Sequence, residues 1–200
     1  MYKYILSLLA FLGVHFTLFC QVLDRPQKAD SLLSVAKKEV GLRELTSRND
    51  HPRIDQYRAA VSPSLNKIRP RLPYCGYFVY WCFVQTGAKP KVGNPGRANS
   101  WFDNPNRLIT FSKRGNTRRA NSKIKRGMVV GYRFQAHSYR ISHVEFISDW
   151  DDDDDETHMY VIGANTGSSG SVNTVIREGD GVYHKKRQKA KVAAIANWID

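Results

Sequence analysis

Apolar residues dominate one stretch near the middle of the chain, which runs Leu72-Pro-Tyr-Cys-Gly-Tyr-Phe-Val-Tyr-Trp-Cys-Phe-Val-Gln-Thr-Gly87. Pro73 suits the entry of a helix and Gly87 suits its exit, so the pattern predicts a helix from about Cys75 to Thr86. Apolar and aromatic side chains occur nearly all round this helix, which is typical of a helix buried at the centre of a domain. We therefore expect the rest of the chain to pack around it.

Two further helices are predicted before the central one. From Asp30 onwards apolar residues recur at helical spacing, with Asp30 or Ser31 as the N-cap and Gly41 just past the end. After a loop, Pro52 opens a short helix that extends through Val61. The chain that precedes the central helix is therefore predicted to be mainly helical.

After the central helix the pattern changes. Residues 87–126 are rich in Gly, Pro, Asn and basic residues and are predicted to be mostly irregular, with residues 100–102 as their apolar anchor. Beyond Gly127, β-branched and aromatic residues predict strands at 128–134, 142–148, 158–162, 191–195 and, more weakly, 182–185. Helices followed by strands indicate an α+β fold, in which N-terminal helices pack on an antiparallel β-sheet.

The first 20 residues start with Lys3 and continue as a short apolar run, which is typical of a secretory signal peptide. Cleavage is expected near Gln21, and the bulky Phe19 before Cys20 disfavours a lipoprotein attachment site. We therefore expect residues 21–200 to form a single domain that is secreted or periplasmic, monomeric and without a membrane span.

Basic residues greatly outnumber acidic ones. The chain has 31 Lys and Arg against 18 Asp and Glu, a formal net charge of +13. Such a charge predicts attraction to polyanions, and the predicted signal peptide favours an anionic cell-wall polymer over nucleic acid. The densest basic groups, residues 113–126 and 185–191, each fit a merely solvated surface equally well. The acidic run Asp151 to Glu156 lacks a calcium-loop pattern, so a solvated hairpin loop is expected there.

Cys75 falls in the first turn of the predicted central helix. Unsatisfied backbone N–H groups and the helix dipole favour a thiolate at this position, and the thiolate is the nucleophilic form of cysteine. Cys75 could instead be an inert buried residue or half of a disulfide with Cys82. Seven residues of helix separate their Cα atoms by about 10 Å, beyond the limit of about 7 Å for a disulfide. Cys82, between Trp81 and Phe83, is assigned to packing.

A cysteine nucleophile needs a base, and the base needs an orienting partner. His143 begins a predicted strand, on the face that it shares with Ile141, Glu145 and Ile147, while Val144 and Phe146 occupy the other face. A strand histidine alone is more often structural, but its combination with Cys75 favours the role of base. Asn165 follows a predicted strand, and its side chain could accept the imidazole N–H. Taken alone, it would be a turn former.

Several segments of the chain, taken in order, resemble the CHAP family of cysteine- and histidine-dependent amidohydrolases and peptidases. They are VGLRELTSRNDHPRIDQY, LPYCGYFVYWCFVQTG, GMVVGYRF, SHVEFIS, VIGANTGSSG and REGDGVYHKKR. The resemblance implies a papain-like α+β fold, with the nucleophile at Cys75, the base at His143 and the family's asparagine at Asn165. It implies no metal and no organic cofactor.

The chain departs from the family at one position. Relatives commonly carry Glu-Gly-Asn-Thr where this chain has Gly163-Ala-Asn-Thr166, so Gly163 stands where a histidine-orienting glutamate is expected. Either Asn165 serves alone, or Glu145 partly substitutes. We expect the first, because a residue beside the histidine on its own strand usually cannot reach around to the imidazole N–H.

The predicted signal peptide and the resemblance together predict an exported hydrolase that cleaves an amide bond through a thioester on Cys75, and the resemblance implies peptidoglycan as the substrate class. The backbone N–H of Cys75 is an expected oxyanion donor. Whether the enzyme is an amidase or an endopeptidase stays open at this point. The alternatives are a basic wall-binding module on a weakly active or inactive hydrolase scaffold, and a papain-like acyltransferase.

Overall fold

The computed structural model describes residues 24–111, 123–133, 140–150, 157–167 and 179–199. These residues begin with three α-helices: α1 (Arg25–Lys38), α2 (Pro52–Ala59) and α3 (Cys75–Gln85). Six strands follow: β1 (Leu108–Phe111), β2 (Val129–Tyr132), β3 (His143–Asp149), β4 (His158–Thr166), β5 (Gly181–Gln188) and β6 (Ala194–Ala196). Short 3-10 helices cover Pro63–Lys67, Ala98–Phe102 and Lys189–Lys191. The strands form one antiparallel sheet in the order β1-β6-β2-β3-β4-β5, which confirms the predicted α+β fold.

Helix α1 begins at Arg25 rather than at Asp30 or Ser31, so the predicted start was wrong. Asp24 and Gln27 form a reciprocal capping box, in which each side chain accepts the other residue's backbone N–H at 2.9 and 3.2 Å. Pro26 also suits the first turn. This first turn is solvent-exposed, so no apolar periodicity marks it in the sequence.

Helix α3 begins at Cys75 and ends at Gln85, one residue short of the predicted end. Gly87 follows with a φ of 79°, a left-handed conformation that favours glycine just past a helix. Phe78 and Phe83 pack edge-on against Phe146 of β3, with ring centroids 6.3 and 5.7 Å apart. The central position predicted for this helix is therefore confirmed.

Strand β3 is buried on both faces. Val144 and Phe146 belong to the core between the sheet and the helices, whereas Ile147 belongs to a second apolar cluster on the opposite face. The predicted alternation holds for these three residues. It fails for Ile141, which precedes the strand and packs with the first cluster.

Strand β1 was missed, because it lies inside the segment predicted to be irregular. It is an edge strand of half-buried residues that pairs with β6, close to the C-terminus, and such a distant partner leaves no local signal. The apolar anchor of that segment is confirmed, since Trp101 and Phe102 are buried.

The predicted signal peptide, residues 1–20, and the acidic run Asp151 to Glu156 lie outside the described residues. No helix within the described ranges is both long enough and apolar enough to cross a membrane.

Candidate active site

Cys75 is the first residue of α3 and lies at the edge of the core. Tyr74 is the N-cap residue, and it makes no side-chain capping hydrogen bond to the first turn. The next residue, Gly76, packs so closely on the Pro95 carbonyl oxygen that a Cβ there would collide with it. Cys75 is 5% exposed, while Cys82 is fully buried, and both thiols are free. This agrees with the prediction that the two cysteines do not form a disulfide.

His143 begins β3 and is fully buried. Burial lowers the pKa of its imidazole, but hydrogen bonds to the side chains of Cys75 and Glu145 outweigh burial and raise this pKa to about 9. The stabilisation of the folded state that comes with this shift is complete below the ordinary pKa of 6.5, and it is lost as the pH rises through about 9. The fold thus brings two of the predicted site residues, the thiol of Cys75 and the imidazole of His143, into contact.

The expectation that Glu145 could not reach the imidazole of His143 was wrong. Its Oε1 lies 3.1 Å from Nε2 of His143, although the two residues are only two positions apart on one strand. Burial raises the pKa of the Glu145 carboxyl, but the neighbouring Arg187 and His143 lower it to about 2. Glu145 is therefore a carboxylate in direct contact with the imidazole.

Arg187, on β5, holds this carboxylate in place. Its Nη2 donates to Oε1 of Glu145 at 2.7 Å, and its Nε donates to Oε2 at 3.2 Å. Nη2 also lies 3.2 Å from Oγ1 of Thr166. A two-point pair of this kind fixes the plane of the carboxylate as well as its position.

Asn165 lies at the end of β4 and is 1% exposed. Its φ is 58°, and it sits where the pairing of β4 with β5 slips between Ala164 and Thr166. Burial and the Glu44 carboxylate raise the pKa of Tyr74, while an interaction with the backbone of Asn165 acts in the opposite direction. Asn165 therefore lies beside Tyr74, the residue that precedes Cys75. Its predicted role as the third site residue stays a prediction.

The basic group at residues 185–191 is not a solvated patch. Lys185, Arg187 and Lys189 are each no more than 7% exposed. Nζ of Lys185 donates a hydrogen bond to the Gly167 carbonyl oxygen at 2.6 Å. The Lys189 ammonium lies over the Trp150 ring, 5.0 Å from its centroid. Lys185 and Arg187 of β5, and Lys189 of the 3-10 helix that follows it, thus carry their charge into the protein, so this group contributes less than its sequence suggests to any polyanion-binding surface.

The other described histidines make contacts elsewhere. His51 caps α2 by accepting the Arg53 backbone N–H at 3.0 Å. His158 lies 2.8 Å from the Thr157 hydroxyl, and His184 lies 2.9 Å from the Ser148 hydroxyl. His137 is outside the described residues.

Comparison with known families finds a match over the part of the chain that contains this site. Residues 68–165 match the family model of the CHAP domain. The chain carries a CHAP domain. The matched range contains Cys75, His143 and Asn165, and it also contains Gly163, the position at which the chain departs from the common pattern. CHAP domains are generally cysteine- and histidine-dependent hydrolases, of the type that includes peptidoglycan amidases and peptidases. Neither the curated proteins nor the solved structures contain a match to this chain.

Two contributors to the site of this CHAP domain were not predicted. Arg187 was predicted only as part of a basic surface group, and Tyr132, which pairs with His143 across β2 and β3, was not singled out. Strand pairing brings the guanidinium of Arg187 and the ring of Tyr132 to the site. An arginine at an inward-facing position of a strand would have been a signal only if the register had been known.

A thiol-alkylating reagent is expected to modify Cys75 of the CHAP domain before Cys82. Cys75 has some exposure and contacts an imidazole, whereas complete burial raises the pKa of Cys82 well above its ordinary value. Peptide mass mapping after partial alkylation measures the order. The Cys82→Ala protein should react at the parent rate, and faster labelling of Cys82 in the parent protein would show that Cys75 is not the activated thiol.

Proposed function

We propose that this protein is an exported peptidoglycan hydrolase, an amidase or endopeptidase that cleaves an amide bond through a covalent intermediate on Cys75. The site residues are Cys75 as the nucleophile, His143 as the base and later the acid, and Asn165 as the third residue. The proposal for export rests on the apolar N-terminal segment.

The observation that carries the proposal is the contact between the Cys75 thiol and the His143 imidazole, made at the uncapped start of a buried helix. A thiolate there attacks the substrate carbonyl carbon, so that a C–S bond forms. His143 then donates its proton to the amide nitrogen as the C–N bond breaks and the amine leaves. Water, deprotonated by His143, attacks the thioester, releasing a carboxylic acid and restoring the thiol.

The backbone at the helix start suits the oxyanion that this attack creates. The N-cap residue Tyr74 makes no side-chain hydrogen bond to the first turn of α3, so we expect the N–H of Cys75 to be available to a developing negative charge. The positive end of the helix dipole stabilises the same charge.

The direct test is incubation of purified protein with isolated peptidoglycan, followed by mass measurement of the released fragments. Free muramyl carboxyl groups would identify an amidase, and new peptide termini would identify an endopeptidase. Fragments joined to an added amine would indicate an acyltransferase. Binding without release would support the wall-binding module and contradict a hydrolase.

We further propose that an anionic wall polymer is held away from the nucleophile, in a cleft at the C-terminal end of α3. This cleft, of about 620 Å³, is lined by Lys28, Lys89, Lys91 and Arg107, and none of its described lining residues is acidic. The apolar part of the lining includes Trp198, over which the Arg107 guanidinium lies at 5.8 Å. Ten residues of helix place the cleft about 15 Å from Cys75 along the axis, so a bound polymer would leave the nucleophile accessible.

Binding to whole wall material should weaken strongly as salt is added, because exposed charges are screened over about 8 Å at physiological ionic strength. Hydrolysis of a small soluble fragment should respond much less. Sedimentation with wall material at increasing NaCl concentrations measures the first, and fragment turnover measures the second.

The charge-neutral Lys89→Gln, Lys91→Gln double variant should bind walls less tightly and with a shallower salt dependence. The matched control is Lys37→Gln, Lys38→Gln, which removes two exposed charges from α1 outside the cleft. Equal losses in both double variants would contradict a binding site in the cleft.

A further inference from the structure

The glycine at position 163 has a spatial explanation. Phe146 pairs with Ile162 and Ile147 with Val161, so the same register carried one step further places Gly163 opposite Glu145. A Cβ built on Gly163 would lie 2.5 Å from both Cγ and Oε1 of Glu145, a separation that real Cβ atoms essentially never show. The Glu145 side chain therefore fills the space that any side chain at position 163 would enter.

That space lies beside the histidine. The carboxylate that fills it accepts a hydrogen bond from Nε2–H of His143 at 3.1 Å and is fixed from the other side by Arg187. Because Nε2 faces Glu145, the remaining ring nitrogen, Nδ1, is the one available to the Cys75 thiol. This division of the two nitrogens is what an imidazole needs in order to exchange a proton with a nucleophile while it is held in one orientation.

We propose that Glu145 is the positioning residue for His143, and that its carboxylate reaches from β3 into space on β4 that is open because residue 163 is a glycine. This inference rests on the proposed function, in which His143 serves Cys75. It replaces Asn165 as the orienting group and leaves Asn165 as a neighbour at the end of β4.

The charges around the imidazole support this assignment. From β5 to β3 they alternate in sign: the Arg187 guanidinium, the Glu145 carboxylate and the His143 imidazolium. The Cys75 side chain lies on the other side of the imidazole, at the start of α3. The fourth neighbour is Tyr132 of β2, whose ring centroid lies 6.3 Å from that of His143 and whose pKa is raised well above its ordinary value by burial and by Glu145, so it is neutral. Loss of the carboxylate would leave two buried cations beside each other, which favours a neutral imidazole and a protonated thiol.

The first experiment measures the alkylation rate of Cys75 by iodoacetamide against pH, so it needs no substrate. In Glu145→Gln the pH of half-maximal rate should move upward by about one unit, which corresponds to about tenfold slower alkylation on the rising part of the curve. Glu145→Ala should shift it at least as far, because the alanine cannot hold the ring. An unchanged profile in folded Glu145→Gln would overturn the proposal.

The matched control is Glu39→Gln. Glu39 is another buried carboxylate in a two-point pair with an arginine, accepting from Arg53 at 2.9 and 2.6 Å, and it also accepts from Tyr57 at 2.5 Å. Its loss should lower the thermal midpoint without moving the alkylation profile. An equal shift in Glu39→Gln would mean that Glu145 acts only through stability.

The decisive variant is Glu145→Ala, Gly163→Glu, which returns a carboxylate from the opposite strand into the vacated space. Its alkylation profile should return to within about 0.3 pH unit of the parent profile, about twofold in rate. A folded double variant whose profile stays about one pH unit above that of the parent would overturn the proposal, and this comparison needs only the parent protein and the double variant.

Wall digestion then separates this inference from the proposed function. In the parent protein the rate should fall as the pH rises through about 9, where His143 loses its proton. In Glu145→Gln that fall should come at lower pH, with kcat reduced by about 10²-fold and KM little changed. Asn165→Ala should reduce kcat for wall digestion less than Glu145→Gln does. If the parent digests nothing while the alkylation profiles shift as expected, the proposed substrate is wrong and the positioning role of Glu145 stands.

Discussion

Replacing Cys75 with serine is expected to abolish wall digestion, with a loss on the order of 10⁴-fold or more and with the fold intact. A serine hydroxyl is a far weaker acid than a thiol, so the buried His143 cannot hold it as an anion, and the covalent intermediate does not form. The change removes little volume from a side chain that is 5% exposed at the edge of the core. Release of soluble fragments from isolated peptidoglycan is the measurement, and the thermal midpoint checks the fold.

Cys82→Ala is the matched control for this prediction. It removes the second thiol of the described chain, from a fully buried position in the middle of the same helix. We expect a cost of about 1 kcal/mol or somewhat more in the free energy of unfolding and nearly full digestion per folded molecule. If Cys75→Ser digests walls as well as the parent protein, Cys75 is not the nucleophile.

The second large effect is expected for His143→Ala, which should lower kcat for wall digestion by at least about 10⁴-fold. The variant loses the group that takes the thiol proton and later returns a proton to the leaving amine. Cys75 should also be alkylated more slowly at neutral pH, because its imidazole partner is gone. Both rates are compared with those of the parent at equal folded concentration.

His184→Ala is the control for a histidine in the same sheet. His184 lies on β5 and contacts the exposed Ser148 hydroxyl, so its loss should leave digestion and alkylation near the parent values. His143→Ala protein that is folded and still digests walls within tenfold of the parent would exclude His143 as the base. If only the alkylation rate of Cys75 in His143→Ala stays near the parent value, the reactivity of the thiol does not depend on the imidazole.

Local signals were sufficient for the parts of the fold that depend on neighbouring residues. The start of α3 at Cys75 follows from a proline before it and an apolar run after it, and both are features of one short segment. The strands from Val129 onwards follow from β-branched and aromatic composition. The start of α1 was mistaken, because a capping box in an exposed first turn carries no apolar periodicity.

The sequence by itself therefore determined the α+β class, the position of one cysteine at a helix start and, through family resemblance, a histidine and an asparagine to accompany it. Only the tertiary structure decided which carboxylate meets the imidazole. Glu145 contacts His143 on its own strand β3, pairs with Arg187 on β5 and fills the space beside Gly163 on β4. These contacts depend on the register of β3, β4 and β5. A change of register by one residue would turn each of these side chains to the other face of the sheet, and strand composition does not encode that choice.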